Sequence, residues 1–229
     1  MFKSDPWLLF NAYNQNRDKF NCNFHAEPNK KFICLMFNSQ KDHRKTVYDF
    51  IISKNFDCYI SKFDEDIKLS LVVFGDKKHN YSHLNDERVI FIPTTYNTVK
   101  LVEYYRSVDI FVHSSNIETW GLTVSEALSM GLPVVASNVG GIKDQVKGYN
   151  YNDKNHQHIQ INQYDLKEAN GILFNRADSN GLFSALLYLI HNKNIRIKLG
   201  QNARQYAIRK LDSTVHIKSL IDLCETVDN

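Results

Sequence analysis

The residues best suited to chemistry are two glutamates eight positions apart, Glu118 and Glu126, in the segment His113-Ser114-Ser115-Asn116-Ile117-Glu118-Thr119-Trp120-Gly121-Leu122-Thr123-Val124-Ser125-Glu126. An apolar run ends just ahead of them, a short loop passes through Gly121, and helical spacing begins near Leu122. That order puts Glu118 in the loop and Glu126 about one turn into the helix. A glycosidase pair flanks its bond at ~5–9.5 Å. Eight residues of continuous helix span ~12 Å, so the spacing speaks against hydrolysis. Carboxylates also accept paired hydrogen bonds from sugar or ribose hydroxyls. The helix start between the two acids carries open N–H groups and a partial positive charge, a combination that receives phosphate or pyrophosphate. Gly121 lacks the Cβ that would hold a ligand away from the backbone. Taken alone, the pair fits a helix's preference for acids in its first turn better than any one chemistry.

The elements that must position these residues are legible as apolar runs. Phe32–Phe37, Leu69–Phe74, Val89–Ile92, Ile110–Val112, Val134–Ala136 and Ile172–Phe174 are short, apolar on both faces, and end in polar, Gly or Pro residues. This pattern predicts buried strands of a parallel sheet. Helical spacing starts at Lys45 and recurs over Val99–Tyr105, Leu122–Met130, Leu182–Ile190, Ile195–Ile208 and Val215–Cys224. Alternating strands and helices predict an α/β fold with a doubly wound parallel sheet and additional C-terminal helices. Ligands of such sheets bind beyond the carboxyl ends of the strands. Residues 1–30 are Asn-rich and without period, an irregular appendage or linker to the 31–229 domain. A polar insertion at about 147–168 interrupts the alternation.

With these elements in place, Glu118-x7-Glu126 is joined by Gly131-Leu132-Pro133-Val134-Val135-Ala136-Ser137, by Val139-Gly140-Gly141-Ile142, by Ser107-Val108-Asp109-Ile110-Phe111-Val112 with Ser115, and by Ala169-Asn170-Gly171-Ile172-Leu173-Phe174. The combination closely resembles the donor-binding, C-terminal half of retaining GT-B glycosyltransferases of the GT4 type (glycosyl transferases group 1), over roughly residues 31–210. The resemblance implies that Glu118 contacts the donor sugar's hydroxyls and Glu126 the nucleotide ribose. Backbone amides near Gly121, Leu122 and Thr123 receive the pyrophosphate, and Ser115, Trp120, Gly140 and Gly141 belong to the same donor site. Arg44-Lys45 resembles the family's Arg-Lys-Gly, whose lysine stabilises the departing diphosphate. Positive charge lowers a barrier where a leaving group becomes more anionic.

This chain departs from the pattern. Thr46 replaces the glycine of Arg-Lys-Gly, and Ser39 stands where many members carry a second basic residue, with Lys41 and Lys78 as substitutes from nearby loops. His113 and Ser114 replace an apolar residue and a proline. Trp120 fits either a sugar-side aromatic or a loop anchor.

The 28 basic and 25 acidic residues leave a net charge of +3, too little to argue for a nucleic-acid partner. From His191 to Leu211, however, the chain is basic with no acid. That stretch fits a solvated helix face or a peripheral contact with an anionic membrane or partner. No apolar run approaches the ~20 residues of a membrane span. The N-terminus does not read as a signal peptide. The scattered Cys22, Cys34, Cys58 and Cys224 fit a reducing cytosol, with the inner face of a membrane as a further location. His79 with His83, and His156 with His158, lack companion ligands at metal spacing. The expectation is therefore no metal and no cofactor, with a nucleotide sugar as substrate. This agrees with the absence of an Asp-x-Asp motif and with a family that generally needs none.

About 30 residues ahead of the first strand are too few for an acceptor domain of ~100–200 residues. The expectation is the donor half of a hexosyltransferase, seen as a fragment, a truncated product or a split subunit, completed by an acceptor-binding domain or subunit. A non-catalytic module that keeps the fold and binds nucleotide sugar or a partner is the alternative. An NAD-dependent enzyme is weaker, since no Gly-x-Gly-x-x-Gly follows the first strand.

Overall fold

The computed structural model describes residues 31–38, 67–75, 89–149 and 164–227. Six strands form one parallel sheet: β1 (Lys31–Asn38), β2 (Ile67–Phe74), β3 (Val89–Ile92), β4 (Ile110–His113), β5 (Val134–Ser137) and β6 (Gly171–Phe174), in the order β3-β2-β1-β4-β5-β6. The described helices are α1 (Thr98–Arg106), α2 (Leu122–Ser129), α3 (Ile142–Gln145), α4 (Ser179–His191), α5 (Lys193–Lys210) and α6 (Ser213–Val227).

Alternation along each strand feeds a separate core on each face. Ile110, Val112 and Val135 meet Leu182, Leu186 and Leu189 of α4. Phe111, Val134 and Ala136 point the other way, onto Leu101, Val102 and Tyr105 of α1 and Val124, Ala127 and Leu128 of α2. Each fully buried aliphatic side chain contributes about 1.5–3 kcal/mol. β4 and β5 are buried along their whole length, so their registers and the loops they launch are strongly specified. Strand order reverses between β1 and β4, and the crevice at such a reversal is where open α/β sheets bind ligands. The predicted doubly wound sheet and the C-terminal helices are observed.

The polar insertion is anchored at both ends. Tyr149 bridges Tyr164, and Gly148 bridges Gly171. Lys147 pairs with Glu168 at 3.2 Å, with its ammonium 5.0 Å from the centre of the Tyr164 ring. Residues 150–163, like the predicted appendage 1–30 and the helix expected from Lys45, lie outside the described residues.

Candidate functional site

β4 ends at His113, and the chain must turn before α2 can pack back onto the sheet. Residues 114–121 make that turn, and three sets of contacts hold it. Ser115, buried, donates its hydroxyl to the Ile117 carbonyl at 2.8 Å and accepts the Ser137 hydroxyl from the end of β5 on its own carbonyl. Its side chain therefore shapes the loop from inside.

The second support is the turn after β5. Gly140 has φ +45°, and a β-carbon there would stand 1.7 Å from the Glu118 carbonyl oxygen. Gly141 donates its N–H to that oxygen at 3.1 Å, and a β-carbon on it would stand 2.0 Å from the Thr119 carbonyl oxygen. Only glycine lets two backbones approach this closely. The pair thus sits under the Glu118 loop and fixes it, with Gly140 itself exposed. Trp120 is 41% exposed, one edge of its ring beside Gly141.

The third support was not legible in the sequence. Gln145, at the end of α3 and fully buried, grips the Gly121 peptide from both sides. It accepts the Gly121 N–H at 2.9 Å and donates to the Gly121 carbonyl at 3.1 Å and to the Ser125 hydroxyl at 2.7 Å. Asn170 donates in turn to the Gln145 carbonyl at 3.1 Å. Gln145 follows the exposed Lys143 and Asp144 in a four-residue helix, so neither its type nor its spacing set it apart.

This contact changes the expected amide cradle. The Gly121 N–H is spent on Gln145 and cannot face a ligand. A β-carbon at Gly121 would meet Ile142 Cδ1 at 2.7 Å, so internal packing is what requires glycine here. The half-buried Leu122 and Thr123 follow at the helix start. α1 and α4 are capped by Asn97 and Asp178 side chains, whereas α2 begins without a side-chain cap. Its first turn keeps the donor character and positive field that suit an anion.

The two carboxylates occupy different environments. Glu118, 18% exposed, has Oε2 3.6 Å from Nε2 of the buried His113. Glu126 is 2% exposed, and its Oε2 accepts the Tyr105 hydroxyl at 2.7 Å. Burial, and then the negative charge of Glu126, push the Tyr105 phenol well above its ordinary range, so it remains a donor. The sequence reading placed Glu126 correctly on the helix but did not anticipate its depth or the Tyr105 contact. Arg44 and Lys45, with Ser39, Lys41, Lys78 and the paired histidines, lie outside the described residues. Among the described residues, no group of three or more His, Cys, Asp or Glu is placed to hold a metal ion, and no helix is long and apolar enough to cross a membrane.

The structure brings Glu118, Trp120, Leu122, Thr123 and the Gly140-Gly141 turn together beyond the carboxyl ends of β4 and β5. The sequence and the fold that carry this site have counterparts among known proteins. A family model described as glycosyl transferases group 1 matches residues 46–206, well over half of the chain. The chain is 37% identical to the sulfoquinovosyl transferase SQD2 of Arabidopsis thaliana over 106 residues, 46% of this chain and 18% of that protein. It is 27% identical to a glycogen synthase of Fusobacterium nucleatum over 66% of this chain and 32% of that one, so it matches only a minor part of these relatives' length. Among solved structures, the C-terminal domain of a glycosyl transferase group 1 family protein (LpcC) from Francisella tularensis superposes with a TM-score of 0.59 at 21% identity, covering 92% of this chain and 99% of that domain. Anabaena Alr3699/HepE in complex with UDP superposes with a TM-score of 0.60 at 17% identity, covering 95% of this chain and 54% of that one. The chain belongs to the glycosyl transferases group 1 family and has the fold of the C-terminal domain of a GT-B glycosyltransferase.

Proposed function

We propose that the chain binds a nucleotide sugar beyond the carboxyl ends of β4 and β5 and serves as the donor half of a GT4-type retaining hexosyltransferase. The acceptor is held by another domain or subunit. The observation that carries this reading is the seating of the Glu118 loop on Gly140-Gly141 beside the uncapped start of α2. One rigid loop thereby presents a carboxylate for sugar hydroxyls next to backbone donors for a diphosphate. The UDP complex of the Anabaena neighbour supports a nucleotide ligand for the fold.

In this reading Glu118 accepts hydroxyls of the donor sugar, Trp120 walls the sugar side, and the Leu122 and Thr123 amides take the diphosphate. Glu126 reads the ribose with a carboxylate already oriented by Tyr105. Arg44 and Lys45 are assigned to the departing diphosphate, where cationic charge grows more valuable as the bond to the sugar breaks. Retention and the donor role rest on the Glu118-x7-Glu126 resemblance.

The test combines the full chain with the N-terminal domain of a group 1 relative, a panel of UDP-, GDP- and ADP-sugars, and that relative's acceptor. Product with the donor's anomeric configuration, read by NMR, is expected. Inverted product would refute retention. Donor binding without any transfer would favour the non-catalytic module.

A further inference from the structure

The basic helix α5 has a definite three-dimensional setting at the opposite end of the sheet from Glu118. Its apolar stripe is already used: Leu199, Gly200, Ala203 and Ala207 are buried. Gly200 packs so closely on the turn after α2 that a β-carbon would stand 2.4 Å from the Gly131 carbonyl oxygen. This contact leaves a cleft on each side of the helix. One, of about 720 Å³, has Val108, Leu132 and Pro133 in its floor, residues that precede β4 and β5 and so mark the amino ends of the strands. The other, of about 520 Å³, opens between α5 and the anchored ends of the insertion. Lys198, Asn202 and Gln205, one stripe of the helix, line both.

The charge of these clefts is one-sided. Together they present eight Lys or Arg side chains, Lys198 being common to both, against Asp109 and Glu168. Glu168 is engaged by Lys147 at 3.2 Å. Two of the arginines also serve the fold. Arg196 donates to the Leu189 and Ile190 carbonyls at 2.6 and 3.1 Å, and Arg204 to the Ser129 carbonyl at 2.6 Å. They are held as fixed positive walls, while Lys193, Arg209 and Lys210 are exposed.

We propose that the two clefts flanking α5 form a docking groove for an acidic, extended peptide segment of a partner protein. Charge complementarity selects an anionic partner. The cleft shape selects a chain over a lipid bilayer, because the apolar residues Met130 and Leu132 lie at 8% and 7% exposure, below the rim. A membrane-lying helix needs a continuous free apolar face. The Leu199, Gly200, Ala203 and Ala207 stripe of α5 is packed against the domain, and the exposed Ile197 and Ile208 stand eleven residues apart among basic and amide side chains. The exposed side-chain amides of Gln201 and Gln205 supply donors and acceptors for an extended backbone, while Asn202 spends its amide donors on the Leu166 and Ala169 carbonyls and stiffens the wall between the clefts. Eighteen helical residues run ~27 Å, the length of about eight extended residues. No lining residue belongs to the donor site, so a partner held here leaves that site open.

The test titrates the full chain into a fluorescein-labelled twelve-residue peptide alternating Glu and Leu, read by anisotropy at low and moderate salt. Parallel arms use vesicles with and without anionic lipid. Saturable peptide binding is expected, weakened at least tenfold by Lys198→Glu with Arg209→Glu and unaffected by UDP-glucose. The control, Lys100→Glu with Lys218→Glu, makes the same charge change on exposed residues of α1 and α6 and is expected to leave binding unchanged. Equal loss in the control pair, absence of peptide binding, or binding to anionic vesicles alone would each overturn the proposal. These outcomes are independent of whether the donor site binds a nucleotide sugar.

Discussion

Gly140 lies so close beneath Glu118 that a β-carbon on it would stand 1.7 Å from the Glu118 carbonyl oxygen, and the next amide, that of Gly141, donates to the same oxygen at 3.1 Å. Two turns from different strands are thus joined backbone to backbone, and the Glu118 loop depends on residues 22 and 23 positions downstream. Gly140→Ala must shift one of the two turns and hold alanine at φ +45°. The expected cost is about 1–3 kcal/mol, read as a lower melting temperature, together with weaker nucleotide-sugar binding.

Gln145→Leu keeps the side-chain size but removes every hydrogen bond Gln145 makes to Gly121 and Ser125. Each buried group left unsatisfied costs about 1–3 kcal/mol. Hydrogen exchange at the Gly121 amide is expected to accelerate ahead of global unfolding. Unchanged protection there would show that Gln145 does not hold the helix start.

Tyr105 gives a pH dependence with a definite sign. Its phenol is raised in the folded chain, first by burial and then by Glu126. Above the ordinary value of 10.0, the unfolded state releases this proton while the folded state keeps it. The stabilisation is therefore complete below that pH and is lost as pH rises toward the folded value, by about 1.4 kcal/mol per unit at most. Tyr188, raised to about 12 by burial and Tyr149, adds a fall of the same sign. Thermal melts in alkaline buffers are expected to show a steeper decline for the wild type than for Tyr105→Phe. At neutral pH the variant is less stable, because Glu126 loses its 2.7 Å donor.

Most of the fold could be read from the chain because each strand is an apolar run with a polar end. Ile110–His113 and Val134–Ser137 announce themselves that way. The adjacency of β1 and β4 could not, since strand order depends on crossovers that no local pattern records. α3, four residues long, is too short to show a period. The site divides similarly. Glu118, Glu126 and the glycines stand out by type and spacing. The roles of Gln145 and Tyr105 arise only when residues 24 and 21 positions away fold against them. Gly121 illustrates the difference: its glycine was legible, but the reason, contact with Ile142 and a peptide held by Gln145, was not.

The account turns on a nucleotide sugar binding at the start of α2, with Glu118 reading the sugar and Glu126 the ribose. Isothermal titration of UDP-, GDP- and ADP-sugars into the wild-type chain and into Glu126→Ala, with the fold of each checked by circular dichroism, measures this most directly. One of the three donors is expected to bind the wild type at one site. The folded variant is expected to bind it about 10–100-fold more weakly, the worth of hydrogen bonds to a charged group. No binding by the wild type at millimolar ligand, or equal binding by the folded variant, would contradict it.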